Sequence, residues 1–193
     1  MSPDITRVAA SIRVEPAALA AVVAVESSGS GLNPDGRPVI RLEAHLLWRY
    51  TAGEARSAVD RRFRVGGPQP WEGHTFDGSP YHGHQSVEWV AYLAAVEIDP
   101  DAAMRATSWG MGQVLGEYEA LHFGNGQAGR AAFGVAQSST AGQLDTMARF
   151  IQARPALLSA LRAKDWSIVA RNYNGSGKVA DYSGRLAAAY ARA

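Results

Sequence analysis

The sequence predicts a mainly α-helical fold with one long irregular loop and at most a small β element. Three observations carry that prediction. Residues that start and stop helices punctuate both ends of the chain, the apolar run from Leu19 to Val25 suits a buried helix, and residues 64–84 are too dense in Gly, Pro and aromatics for regular structure. A chain of 193 residues can build one domain with a real core, and a single domain over 1–193 is expected.

Pro3 and Asp4 open a short first helix. Pro16 suits the first turn of a second, because the N–H that proline lacks has no helical partner there, and this helix runs to about Ser27. GSGLNPDGRP stops it, with a tight turn at Asp35 and Gly36. VIRLEAHLLWRY begins with branched residues and ends in a short helix. After the loop, a helical pattern runs from Gln85 through Val96, and Asp99-Pro100 starts another short helix leading into ATSWGMGQ. Ser138, Ser139 and Thr140 cap a long amphipathic segment to about Ala153, and Pro155 restarts a helix through Ala163. Asp165 opens the helix that leads to NYNGSG, and the Ala-rich stretch from Lys178 to Ala193 forms the last. No internal repeat or low-complexity linker interrupts this order.

Composition narrows the functional classes. With 19 basic against 18 acidic residues there is no strong field, and nucleic acid is not an expected partner. Local basic residues, Arg61, Arg62, Arg64, Arg185 and Arg192, read as solvated surface or as an aid in approaching an anionic polymer. The absence of cysteine removes disulfides, a thiolate nucleophile and cysteine-ligated zinc. The N-terminus lacks a basic stretch followed by an apolar one, and Leu19 to Val25 is too short to span a bilayer, so neither a signal peptide nor membrane insertion is expected. His74, His82 and His84 cluster in the loop without helical zinc-ligand spacing, so no metal and no cofactor are expected.

Chemistry points first to Glu26. It ends an apolar helix and is followed by Ser27, Ser28 and Gly29. Burial raises a carboxyl's pKa toward neutrality and makes it a useful proton donor, while the helix dipole disfavours an acid at a C-terminus, so a functional reason for its presence is expected. The plain alternative is a helix end paired with an arginine. Glu43, beside His45 in RLEAH, is a second carboxylate that either activates water or orders its neighbours by pairing with Arg41 or Arg49; Asp35 is a weaker candidate because its Asn-Pro-Asp-Gly setting suits a turn. Glu117 and Glu119 read as solvent-facing. Glycines 110, 112 and 116 allow close backbone approach, and Gln113 can hydrogen-bond a polar group of a ligand. Trp109 and Met111 serve either the core or a ligand. Tyr173 offers an apolar ring face to a ligand and a hydroxyl to an acid, and Asn174 either contacts ligand or makes the turn with Gly175.

Taken together, AVVAVESSG, GRPVIRLEAHLLWR, ATSWGMGQVLG and RNYNGSG resemble, in order and over nearly the whole length, the phage-type N-acetylmuramidases, which are related to goose-type lysozymes and lytic transglycosylases. The resemblance implies a lysozyme-like helical domain that cleaves the β-1,4 bond between N-acetylmuramic acid and N-acetylglucosamine in peptidoglycan glycan strands. It implies Glu26 as the acid, Glu43 as the second carboxylate in a Phe-Glu-x-His-like stretch, and a cleft floor of Ser108, Trp109, Met111 and Gln113. Tyr173 is placed near the acid, with Asn174 and His45 as further substrate contacts. A monomeric phage endolysin made in the host cytoplasm and released to the cell wall fits this reading, as does a secreted effector. The alternatives are a lytic transglycosylase, which needs one carboxylate and yields anhydro products, and a wall-binding module without activity.

Overall fold

A computed structural model describes residues 2–27, 30–65, 75–118, 123–124 and 126–193. Helix α1 spans Pro3–Ser11, with the Ser2 hydroxyl accepting from the Ile5 N–H, and α2 spans Pro16–Ser27 with proline in its first turn as expected. After the turn at Asn33–Gly36 come β1 (Ile40–Leu42), α3 (Ala44–Tyr50) and α4 (Gly53–Phe63). A hairpin, β2 (Thr75–Phe76) and β3 (Ser79–Pro80), leads to α5 (Gln85–Ile98) and α6 (Pro100–Arg105). Strands β4 (Thr107–Trp109) and β5 (Val114–Leu115) precede a 3₁₀ turn at Gly116–Tyr118. The remaining helices are α7 (Gly126–Gln137), α8 (Thr140–Gln152), α9 (Pro155–Ala163), α10 (Trp166–Asn174) and α11 (Val179–Tyr190).

The mainly helical expectation holds, with three departures. The hairpin lies inside the stretch expected to be irregular, and its turn is Asp77-Gly78, both in left-handed backbone, a combination suited to a two-residue hairpin. SWGMGQ is a turn flanked by strands, since β4 and β5 pair across it. Helices α4 and α7 had no counterpart in the sequence reading. In α4 only Val59 and Phe63 are buried, which leaves a faint apolar period, and α7 carries three glycines, which read as helix breakers.

Apolar residues gather in two main clusters. One packs α1, α2 and α8–α11 around Leu19, Val22, Leu144, Ile151, Leu157 and Leu186. The other packs α3–α6 around Leu42, Leu47, Val59, Phe63 and Tyr81. Helix α2 is apolar from Ala17 to Val25, and Ala18, Leu19, Ala21, Val22 and Val23 are buried. Among the described residues no single helix is long and apolar enough to cross a membrane.

The antiparallel sheet β1-β4-β5 carries one rim of the region where these clusters meet. Strand β1 is at its edge, yet its outward backbone groups are satisfied by side chains. Gln85 accepts from the Ile40 N–H at 2.9 Å and donates to the Ile40 carbonyl at 2.8 Å. Glu88 accepts from the Leu42 N–H at 3.2 Å, and the Tyr81 hydroxyl donates to the Leu42 carbonyl at 3.0 Å. On the inner side, the Glu43 N–H donates to the Ala106 carbonyl at 2.9 Å, fixing the strand end from which Glu43 projects.

Candidate active site

Helix α2 delivers Glu26 at its penultimate residue, beyond the fully buried turns. One carboxyl oxygen, Oε1, is buried and has no hydrogen-bond partner among the described residues. Desolvation raises the Glu26 pKa to about 7, against a small opposing pull from the Arg185 guanidinium. Arg185 does not satisfy the carboxyl; it donates to the Val25 carbonyl at 3.0 Å, at the negative end of the helix. Ser27 turns back to the Val23 carbonyl at 3.1 Å, whereas Ser28 and Gly29 lie outside the described residues.

Glu26 and Glu43 open onto the same cavity, about 410 Å³ in volume, whose lining also includes Arg41, Ser108, Gln113, Tyr173 and Asn174. The two carboxylates therefore come from different clusters. Glu43 sits at the N-cap of α3 without capping it; its Oε1 accepts from Arg41 Nε at 3.0 Å, and its Oε2 lies 3.8 Å from His45 Nδ1. Of the two pairings considered for Glu43, Arg41 is the one formed. His45 stands behind Glu43 and does not line the cavity.

The floor is built by the turn between β4 and β5. Gly110 and Gln113 both adopt left-handed backbone, and the Gln113 side chain donates to the Gly110 carbonyl at 2.9 Å, which holds its amide across the turn. Gly112 has no room to spare, because a Cβ there would stand 3.2 Å from Met147 and 3.3 Å from the Tyr173 hydroxyl. That hydroxyl donates to the Gly112 carbonyl at 2.7 Å. Tyr173 therefore pins the turn through its hydroxyl proton while standing near enough to the acid to feel it, since burial together with the Glu26 charge holds its pKa well above the usual phenol range. Its ring stands edge-on to Phe150 at 5.2 Å.

Ser108, Gln113, Tyr173 and Asn174 meet at the cavity as expected, but Trp109 and Met111 do not. Trp109 is buried, donates to the Met104 carbonyl at 3.2 Å and stands edge-on to Trp89, Tyr92 and Phe133. Met111 is buried in the α2 cluster. The alternating pleat explains the split: on β4 the partly exposed Ser108 faces the groove, while its neighbours Thr107 and Trp109 face inward. Asp35 is elsewhere, paired with Arg37 at 2.6 Å and accepting its N–H at 3.1 Å, as a turn residue does. Glu117 is not solvent-facing as expected, for it is half-buried and accepts from the Tyr50 hydroxyl; Glu119 lies outside the described residues.

Gln143 escaped the sequence reading. Fully buried on α8, it accepts from the Met111 N–H at 2.9 Å and donates to the carbonyls of Gly31 at 3.0 Å and Gln137 at 2.8 Å. One amide thus ties the segment following Glu26 to the floor turn, and a side chain at Gly31 or Gly110 would collide with it. The signal was present: Gln143 shares a helix face with the apolar Met147 and Phe150.

Among the described residues no group of three His, Cys, Asp or Glu side chains could hold a metal. His82 pairs with the buried Glu88 at 2.6 Å, His84 precedes α5 as its N-cap, and His74 and residues 66–73 of the irregular stretch lie outside the described residues.

A family model described as N-acetylmuramidase matches residues 15–193. The chain belongs to the N-acetylmuramidase family. Among solved structures it is similar to the crystal structure of a Burkholderia AP3 phage endolysin, with 34% identity over 98% of this chain and 68% of that one and a TM-score of 0.75. No curated protein matches it. Membership in the muramidase family makes peptidoglycan the substrate class, and the fold is the expected lysozyme-like helical one.

Proposed function

We propose that the chain is a glycoside hydrolase that cleaves the β-1,4 bond between N-acetylmuramic acid and N-acetylglucosamine, with Glu26 as the proton donor. One observation carries this reading: a carboxyl with a buried, unpartnered oxygen and a pKa of about 7 opens onto a groove that contains a second carboxylate. A glycosidic oxygen leaves poorly as an alkoxide, so bond cleavage needs a proton delivered as the oxocarbenium-like centre forms. Glu26 is protonated over much of the neutral range and has no internal partner that competes for its proton. Glu43, paired with Arg41, is the base that draws a proton from the attacking water or steadies the positive centre. Ser108, Gln113 and Asn174 offer hydrogen bonds to the sugars, and Tyr173 offers its ring.

In this reading the catalytic unit is a single monomeric domain that does not insert into membranes. It serves as a phage endolysin, made in the host cytoplasm and acting on the wall after release. The pairing of Glu43 with Arg41 favours one rival, a lytic transglycosylase, in which a single free carboxyl suffices. Digestion of purified Gram-negative sacculi by wild type and Glu26→Gln, with mass spectrometry of the muropeptides before and after borohydride reduction, decides between them. Reducible muramic acid ends from wild type alone are expected. Anhydro ends would replace the hydrolase by the transglycosylase, and wall binding without products from either protein would leave only a binding module.

A further inference from the structure

The groove does not end at Glu26. A second cavity of about 350 Å³ shares Ser108, Gln113, Tyr173 and Asn174 with the first and continues past them to Tyr118, Arg154 and Arg171. Arg154 is held firmly there. Its guanidinium lies 3.6 Å from the Phe150 ring centroid and 4.3 Å from that of Tyr118, and it donates to the Phe150 carbonyl at 3.1 Å. Yet neither Arg154 nor Arg171 makes an ion pair among the described residues. A guanidinium fixed by aromatic stacking in the wall of a cavity that a second cation also lines is preorganised for a carboxylate.

Resting on the muramidase reading, we propose that this extension is a subsite for a carboxylate carried on the lactyl substituent of muramic acid, with Arg154 as the principal ligand and Arg171 as the second cation. The backbone sugars of peptidoglycan are neutral; its negative charge sits in the stem peptides or, where a stem has been removed, on the lactyl group itself. That substituent belongs to the sugar whose glycosidic bond is cut, so it must leave the groove close to Glu26. The subsite would give the enzyme a means of telling peptide-bearing muramic acid from other β-1,4-linked N-acetylated sugars, which the neutral contacts of the floor do not supply.

The test measures binding by Glu26→Gln protein to three soluble strand preparations: peptide-bearing strands, the same strands with carboxylates amidated by carbodiimide and methylamine, and strands stripped of stems by an amidase. Peptide-bearing strands are expected to bind about tenfold more tightly than amidated ones, as a fixed guanidinium–carboxylate pair implies. Adding Arg154→Gln should bring that ratio close to one, Arg154→Lys should restore part of it, and Arg171→Gln, on an exposed side chain unable to unsettle the fold, should lower it severalfold. With Glu26 intact, the same ratio should appear in KM rather than kcat. Tight binding of stripped strands would show that the freed lactyl carboxylate itself fills the subsite, and weak binding of stripped strands would confine the subsite to a carboxylate of the stem. Equal binding of native and amidated strands, or a ratio unmoved by Arg154→Gln and Arg171→Gln, overturns the subsite. A ratio that depends on Arg154 without any new sugar ends from wild type would instead overturn the muramidase reading and leave carboxylate binding standing.

Discussion

Glu26 and Glu43 line one cavity but have opposite environments. Glu26 rises from a fully apolar helix, keeps one oxygen dry and unpartnered, and holds its proton to about pH 7. Glu43 projects from a strand end whose backbone is fixed on both sides, yet its carboxylate is satisfied by Arg41. The helical cluster thus supplies a desolvated carboxyl and the sheet side one that is paired with an arginine. The functional asymmetry is set by what surrounds each carboxyl, not by its chemistry.

The largest effect should come from removing the acid. Glu26→Gln is expected to lower kcat on sacculi by about 10²–10⁴-fold, the usual range for a general acid; a loss below tenfold would end the contrast between the two carboxyls. Glu43→Gln should lower kcat less, by about 10–10²-fold if it acts as the base. Arg41→Gln separates its roles, because a base freed of its partner would retain activity whereas a carboxylate that needs its arginine for placement would fall alongside Glu43→Gln.

A third prediction uses pH. Activity requiring protonated Glu26 should fall as pH rises through about 7. Stability follows the same group: the folded state keeps a proton that the unfolded chain releases near 4.5, so the fold loses stability as pH rises from about 4.5 to 7 and changes no further through this group above that. Glu26→Gln should therefore stabilise the protein at pH 8 by about 2–3 kcal/mol and give no gain at pH 4. Urea unfolding at the two pH values checks both signs, and a gain that does not depend on pH would show that Glu26 is not desolvated.

Smaller effects test the shared floor. Gln143→Leu leaves the Met111 N–H and the Gly31 carbonyl without their buried partner and should cost about 2–4 kcal/mol in unfolding free energy. Tyr173→Phe, which removes only the hydroxyl bond to Gly112, should cost about 1–2 kcal/mol and lower kcat more than it raises KM if the turn's placement matters to the chemistry.

Much of this was legible in the sequence. Pro3, Pro16, Pro100 and Pro155 marked helix starts, and the apolar run before Glu26 announced a buried helix ending in an acid. What remained hidden depended on partners distant in the chain. Trp109 and Ser108 are adjacent, and only the pairing of β4 with β1 and β5 decides which faces the groove. The Tyr173 hydroxyl could have served an acid or a carbonyl, and its choice of Gly112 rests on a contact across 61 residues. Helix α4 was missed because two buried side chains leave too faint a period to read.

The outer edge of β1 has a consequence for the groove's width. A sheet ordinarily stops growing when the last strand meets water, but here Gln85, Glu88 and Tyr81 take the place of a further strand, so the edge offers nothing to the backbone of a second chain. Three of these four bonds, the two from Gln85 and the one from Glu88, gear the strand to α5. Tilting that helix would drag Ile40 and Leu42 with it, and Glu43, one residue on, would move toward or away from Glu26. The separation of the two carboxyls is therefore governed by a helix that touches neither.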